Sequence, residues 1–366
     1  MSVISSPPIA KTPKHVMEGV TLHSGWTLVE QLKPSTGASG GTFGVGYRAT
    51  RGGETAFVKV IDFVEALGKP DPILELQNLI GNASFEKEVL AYCTERGMTR
   101  VMRFLGHEYF FTNGPADLMG RVSCLIMEAG ETDLRRLMHG NGPASCLQTL
   151  QVMDDVSLAL AQLHRGGIAH QDIKPSNVIS VAESPLRADR TMKVADLGRV
   201  VRREQTGPFD NFAWPGDLRY SPPERWYGHV PTDWCDSRDA SDAYMLGSIL
   251  LFLSTGTPIQ ALVVPLIPNQ YRPGVWGGSF DDDLLGVLVD AHARVLEDHL
   301  KPSLMPEIAD GVMQIANELT NPDPVRRGDG RARRQIGRPV GLDRIHQKIH
   351  ALALRAAAIQ RGRLKS

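Results

Sequence analysis

Residues 170–177 read HQDIKPSN. Asp172 is followed two positions later by Lys174 and five later by Asn177, with Pro175 between them. A carboxylate that can take a proton, a cation and an amide oxygen suited to a hard metal ion stand within six residues. The residue between His170 and Asp172 is a glutamine, Gln171, which is neutral where the neighbouring chemistry favours charge.

Outward from this stretch, the chain of 366 residues has room for one large or two modest domains. A hydrophobic fraction of 42% and a charged fraction of 22% are those of an ordinary globular protein. Net charge is −1, but residues 326–366 carry twelve Lys/Arg against two Asp/Glu, a local +10 that leaves −11 on the rest. A basic helix lying against an acidic body accounts for that asymmetry, so nucleic acid is disfavoured as a partner. Cys93, Cys124, Cys146 and Cys235 show no C-x-x-C spacing and read as reduced thiols of a cytoplasmic protein. The opening MSVISSPPIAKTPKH has prolines where a signal peptide needs an apolar run, and YMLGSILLFL (244–253) is too short to cross a bilayer. No membrane association is expected, and YMLGSILLFL is expected to be a fully buried helix.

Residues 1–24 read as a flexible arm. From residue 25, GWTLVEQL and VGYRAT flank the Gly-rich STGASGGTFG, and RGGE turns into TAFVKVID, a pattern of strands and tight turns. GKPDP breaks the chain at 68–72, and NASFEKEVLAYC is expected to open a helix on an Asn or Ser cap, with Phe85, Val89 and Tyr92 on one side. SCLIMEAG (123–130) reads as a short buried strand. Met153, Val156, Leu160 and Leu163 mark one helix face, and MKVADLG (192–198) a further strand and turn. Segment 257–278 gives no clear pattern. Leu342, Ile345, Ile349, Leu352, Ala356 and Ile359 predict an amphipathic helix over 342–360 packed on the protein. The domains are therefore an arm (1–24), a small β-rich lobe with one helix (25–130), a larger helical lobe (131–325) and a basic tail (326–366).

Three polar clusters fit the demands of phosphoryl transfer from ATP. SGGTFG (39–44) offers backbone N–H groups that a glycine lets approach phosphate oxygens. Lys59, in the apolar AFVKVID, needs a partner if buried, and Glu88 on the following helix is the expected one. Asn177 and Asp196, the latter in VADLG, are hard oxygen donors suited to Mg²⁺. Asp172 is the candidate base and Lys174 the cation near the transferred group. Taken singly, each has a plainer reading: a hairpin turn, an edge lysine, a solvated carboxylate.

In this order along the chain, the motifs resemble the eukaryotic-type (Hanks-type) protein kinases over roughly residues 25–330. GGTFGVGY resembles the family's Gly-rich loop, AFVKV its strand lysine motif, FEKEVLAY the helix that follows, and LIMEAG its hinge. HQDIKPSN resembles the catalytic loop, DLG (196–198) the metal-binding turn, GDLRYSPPE (216–224) the end of the activation segment and DAYMLG (242–247) the start of a buried helix. Arg327 in DPVRR resembles the arginine that the family pairs with the glutamate at Glu224. The resemblance implies an α+β, bilobal fold with a small antiparallel β lobe and a larger mainly helical lobe. It implies ATP and Mg²⁺ as cofactors, with Gly41, Gly44, Gly46, Phe57, Lys59, Met127, Glu128, Gly130 and Ile179 around the nucleotide. Lys59, Glu88, Asp172 and Lys174 are then the catalytic set, and Asn177 and Asp196 hold the metal.

The Asp-x-Lys-Pro-x-Asn form is that of the Ser/Thr-directed branch, so the implied activity is phosphorylation of Ser/Thr in a protein substrate, autophosphorylation included. A pseudokinase that binds nucleotide without efficient turnover and a small-molecule kinase on a related fold are the alternatives. Four departures stand out. Gln171 replaces the usual arginine, Ser39 stands at the first loop glycine, Asp217 replaces a threonine, and the adenine roof is altered at Gly46 and Phe57. Gln171 cannot form a charge-assisted pair with a phosphate, so activity is expected not to require phosphorylation of Thr206 or Ser221. Arg199, Arg202 and Arg203 are the alternative phosphate receivers. Phe57 is expected to fill the space that Gly46 vacates and itself cover the adenine, with Ile179 as the floor.

Overall fold

The computed structural model describes residues 12–33, 44–112, 114, 120–140, 142–182, 190–212 and 216–363. The chain divides into two compact units, one comprising residues 1–92 and 103–130, the other 93–102 and 131–366.

In the first unit, β1 (Thr27–Gln31), β2 (Val45–Arg51), β3 (Glu54–Asp62), β4 (Phe104–Phe111) and β5 (Arg121–Glu128) form an antiparallel sheet in the order β1-β2-β3-β5-β4. The β2–β3 hairpin closes on Gly52 and Gly53, both with positive φ, the requirement of a two-residue turn that follows strand twist. Alternation buries one face: Tyr47, Ala49, Val58, Val60, Cys124 and Ile126 share a core. Met17, Leu22 and Trp26 belong to the same core, so the part of the expected flexible arm that is described, residues 12–24, is packed structure. Polar ties hold it down: Tyr47 Oη donates to the Lys14 carbonyl at 2.8 Å, and the Lys14 N–H donates to Asp62 at 3.1 Å. Residues 1–11 lie outside the described residues.

After α1 (Val64–Leu67), α2 runs from Pro72 to Glu95 without a break. The cap expected near Asn82 or Ser84 is absent because Pro72, whose fixed φ suits a first helical turn, already starts the helix. Phe85 and Val89 are buried along it.

After its 93–102 segment, the second unit continues with β6 (Thr132–Asp133) and α3 (Leu134–Met138), followed by α4 (Cys146–Arg165). Ser145 and Gln148 form a reciprocal capping box at the start of α4, and Met153, Val156, Leu160 and Leu163 are its buried face. β7 (Ile168–Ala169) pairs with β10 (Val201–Arg202), while β8 (Val178–Ala182) lies between β6 and β9 (Arg190–Val194). These short ladders fix the two ends of the HQDIKPSN loop. α5 (Pro223–Trp226) leads to α6 (Ala240–Thr255), which is buried from Ala240 to Ser254. No single helix among the described residues is long and apolar enough to cross a membrane.

The segment without a clear pattern holds α7 (Ile259–Val263), short turns and then α8 (Asp282–Val295), capped by the Asp281 side chain. Following α9 (Ala309–Thr320), the arginine-rich stretch is partly interior. Arg327 is fully buried and Arg333 nearly so. Arg327 donates to both Glu224 oxygens at 2.8 Å and to the carbonyls of Ala240, Asn321 and Pro322. Every face of the guanidinium is answered, which is what lets a charge sit there.

α10 (Leu342–Arg363) lies on α4 and reaches α9. Its buried face is Leu342, Ile345, Ile349, Ala353 and Ala356, with Leu352 close against Gly311. Lys348 bridges Glu318 and Asp329 at 2.7–2.8 Å. Ending the chain after Pro339 uncovers this apolar seam. The melting temperature of the purified protein should fall by roughly 5–10 °C, as expected for a loss of a few kcal/mol. An unchanged melting curve would show that the helix adds nothing to the fold.

Candidate active site

The first unit supplies a lysine and its partner. Lys59 sits in β3 with its side chain 15% exposed, and its ammonium donates to both carboxylate oxygens of Glu86 at 2.8 and 2.9 Å. The partner expected from the sequence was Glu88. Two residues apart on a helix point to nearly opposite sides, and here Glu86 is buried while Glu88 is exposed. The pair is therefore Lys59–Glu86.

Around it, Gly46 and Phe57 behave as one unit. A Cβ added at Gly46 would lie 2.7 Å from Phe57 Cε2 and 2.9 Å from Cζ, so the ring fills the room a side chain would need. Met127 lies across from Phe57 in the β3–β5 register and is buried. Glu128 closes β5 with its N–H bonded to the Arg103 carbonyl at 2.9 Å and its carboxylate accepting the Arg103 N–H at 2.7 Å. Gly44 leads into β2, and Gly130 ends the first unit. Gly41 and Ser39 lie outside the described residues.

The second unit carries the HQDIKPSN loop, which is buried almost throughout. Lys174 Nζ lies 2.8 Å from Asp172 Oδ2, and the Asn177 amide donates to the Asp172 carbonyl at 2.8 Å. Burial pushes the Asp172 carboxyl above the usual carboxylate range, with Lys174 opposing and Asp196 reinforcing. Asp196 itself is exposed, with φ +60°. The N–H of Ala195 donates to the Asn177 carbonyl at 2.9 Å, which places the two oxygen donors, Asn177 and Asp196, side by side in the chain's path. Ile179 follows in β8, half-buried.

The far end of the activation segment closes on this loop. The Asp217 N–H donates to Asp172 Oδ1 at 3.0 Å. The contact demands glycine at 216, because a Cβ there would lie 2.2 Å from the Gln171 carbonyl oxygen. Asp217 turns its carboxylate to Arg219, at 3.0 and 2.7 Å. Burial raises the Asp217 carboxyl, but its bonds to Arg219 and the charge of Lys174 hold it below the usual range.

Gln171 is fully buried with φ +64°, a strained backbone for any residue but glycine. The Asp242 carboxylate holds it there, accepting from the N–H groups of His170 at 2.6 Å and Gln171 at 2.8 Å and from His164 at 3.0 Å. Burial would raise the Asp242 carboxyl, yet the bond from His164 and the surrounding charges keep it below its ordinary value. The Gln171 amide oxygen accepts from Arg225 at 2.6 Å and Arg238 at 3.4 Å, and its amide N–H donates to the Arg238 carbonyl at 3.0 Å.

The structure brings Asp172, Lys174 and Asn177 together, and sequence reasoning did not find Glu86, Arg225, Arg238 or the bonds of Asp242. A carboxylate within a run of apolar helix was the available sign for Asp242, since such a group is buried only with donors around it. Asn177 offers an amide oxygen and Asp196 a carboxylate, hard oxygen donors of the kind that suit Mg²⁺.

A family model described as the protein kinase domain matches residues 41–262. The chain is 32% identical over 143 residues to serine/threonine-protein kinase PknB of Mycobacterium leprae and, over the same length, to that of Mycobacterium tuberculosis, covering 38% of this chain and 21% of each relative. It is 29% identical over 133 residues to serine/threonine-protein kinase PrkC of Bacillus subtilis, covering 36% of this chain and 19% of that protein. The matches thus span about a fifth of the length of these relatives.

The Gly46–Phe57 pair gives a direct test. Gly46→Val overpacks against the ring and should cost ~1–3 kcal/mol of stability in nucleotide-free protein. Phe57→Ala should leave a gap, and the double variant should recover most of either loss. A coupling energy below ~0.5 kcal/mol in the thermal-melt cycle would show that the two positions do not share the space.

Proposed function

Because the chain belongs to the protein kinase domain family, we propose that it transfers the terminal phosphoryl group of ATP to serine and threonine hydroxyls of protein substrates, its own included. The observation that carries this reading is the buried cluster of Asp172, Lys174 and Asn177, with the Asp217 N–H on the second oxygen of Asp172. Asp172 has one carboxylate oxygen on a cation and the other on a backbone donor, a geometry that aims it at an incoming hydroxyl. Its task is to orient that hydroxyl and take its proton. Lys174, beside it, counters negative charge on the group being transferred. Lys59, held by Glu86, would grip nucleotide phosphates, and Phe57 with Met127, Glu128 and Gly130 would frame the base. Asn177 and Asp196 would hold Mg²⁺, which when bound neutralises phosphate charge.

A protein substrate is favoured by the buried Arg327–Glu224 pair, which anchors Pro222 and Pro223 directly after the Gly216–Ser221 stretch. That shelf serves an extended peptide better than a small molecule. A cytoplasmic setting is part of the same proposal and rests on four buried, free thiols, with burial pushing Cys93 and Cys124 to about 12.

Radiolabelled ATP and the purified chain, alone and with a generic acceptor protein, provide the test. Label should appear on Ser and Thr. Asp172→Asn and Asp196→Ala should each lower turnover by at least ~1,000-fold, since parts of one catalytic unit fail together. Nucleotide binding with no transfer by the natural chain would mean a pseudokinase, and turnover of the Asp196 variant within tenfold of it would remove Asp196 from the site.

A further inference from the structure

The neutral Gln171 leaves open what holds the activation segment in place. Arg202 and Arg203 are two of the three arginines near the segment that could receive a phosphate. Arg203 is engaged with Asp239, the Cys235 thiol and the Trp234 ring, and Arg202 with Gln205. Of the two hydroxyls considered for modification, Ser221 is buried and donates to the Leu218 carbonyl, while Thr206 is exposed.

Arg238 lies in the wide helical turn Cys235–Asp239 that leads into α6. Its Nη2 donates to the Asp210 carbonyl at 2.8 Å and its Nη1 to the Gln171 amide oxygen at 3.4 Å. Its own carbonyl accepts from the Gln171 amide at 3.0 Å, so catalytic loop and helix turn are joined in both directions. One guanidinium thus bridges the residue before Asp172 and the middle of the activation segment. Beside it, Phe209 is buried against Ala169, Val201 and Trp234, which seats the segment on the strand that enters the catalytic loop.

We infer that Arg238 is a positioning residue that fastens the activation segment to the catalytic loop, with the Asp210 carbonyl in place of an added phosphate. The inference rests on the proposed phosphoryl-transfer function and supplies its regulation: the active arrangement is built into the unmodified chain. In a site that works through a cation on residue 171, the charge comes from the loop and the anion from modification. Here the cation comes from the turn before α6, and the segment brings a backbone carbonyl. Asp210 is tied locally by the Gly207 N–H at 2.8 Å, while its other carboxylate oxygen is buried with no hydrogen-bond partner among the described residues. That oxygen can be tolerated only with a cation close by. Burial pulls the Arg238 guanidinium below its ordinary value, and the charges of Asp210 and Asp242 oppose the shift. Gln171 suits this arrangement because its amide oxygen accepts from Arg225 and Arg238 together. An arginine at that position would set a third guanidinium against two others.

The segment so fastened delivers Gly216 and the Asp217 N–H to Asp172. Loosening Arg238 should therefore act on turnover rather than on nucleotide affinity. The test uses the full chain in two readouts. Initial rates are measured for the natural protein, before and after a broad-specificity phosphatase, and for Thr206→Ala, Arg238→Ala and Arg238→Lys. Phosphatase treatment and Thr206→Ala should leave the rate within about twofold, and Arg238→Ala should lower kcat by ~100-fold with KM for ATP unchanged, the scale of a misplaced catalytic geometry. Arg238→Lys should recover part of the loss by keeping the charge. The second readout needs no catalysis: chymotrypsin cleavage after Phe209, followed by fragment mass, should accelerate in Arg238→Ala and in Asp210→Ala. Natural-chain rates lost on dephosphorylation, or an Arg238→Ala protein with undiminished kcat and an equally protected Phe209, would overturn the inference. A natural chain without transfer activity but with Phe209 protected through Arg238 would instead fault the functional reading alone.

Discussion

Asp242 holds a full carboxylate inside α6, where the side chain has no access to water. Such a charge is stable only if donors surround it, and the donors it gathers are backbone N–H groups of His170 and Gln171, the His164 ring and the Gln171 amide. Two successive N–H groups bonding one carboxylate force the intervening backbone to bend, which explains the positive φ of Gln171. The strain is local, of the order of 1–3 kcal/mol, and the charge-assisted bonds offset it. The bend turns Asp172 away from the helix and toward Lys174 and Asn177. The geometry of the Asp172 carboxylate thus begins with a charge buried in α6.

The same logic of charges buried only in company recurs around α5. Glu224 and Arg327 are joined by two parallel bonds deep in the second unit, and Arg333 with Asp236 forms another buried pair nearby. Removing one member of such a pair leaves the other without compensation, at a cost of about 3–5 kcal/mol. These pairs connect the α5 shelf, the turn before α6 and the arginine-rich stretch after α9. They explain why much of the local positive charge at 326–338 is structural. The expectation of a basic helix lying against the body holds for α10 and does not extend to Arg327 and Arg333, which are interior.

Legibility in the sequence followed the range of the interactions. The hairpin at Gly52–Gly53, the buried face of α4 and the amphipathic α10 depend on residues within a few turns of one another, and period and turn chemistry expose them. The Gly46–Phe57 exchange was readable because strand alternation and conserved volume constrain both positions at once. Glu86 was not separable from Glu88, since both lie on one polar stretch of helix and only packing decides which faces Lys59. Met17 and Leu22 were hidden by a proline-rich approach that looks like an arm, although apolar side chains there complete the sheet's core. Arg225 and Arg238 stand 54 and 67 residues from Gln171, and nothing local marks them as its partners.

Asp217 shows how a departure from a family pattern can leave the chemistry intact. The resemblance leads one to expect a threonine, and a second carboxylate beside Asp172 would place two like charges together. The geometry removes the conflict in two ways. What the position gives to Asp172 is its backbone N–H, which any residue but proline can supply. Its side chain turns away, where Arg219 grips both oxygens in a bidentate pair and cancels the charge. Gly216 makes the close approach possible, and Lys174 stands near enough to see both carboxylates. The substitution at 217 and the arginine at 219 are therefore one feature. The sequence presents them as separate letters, and the fold makes them a neutral unit that keeps the activation segment on the catalytic loop.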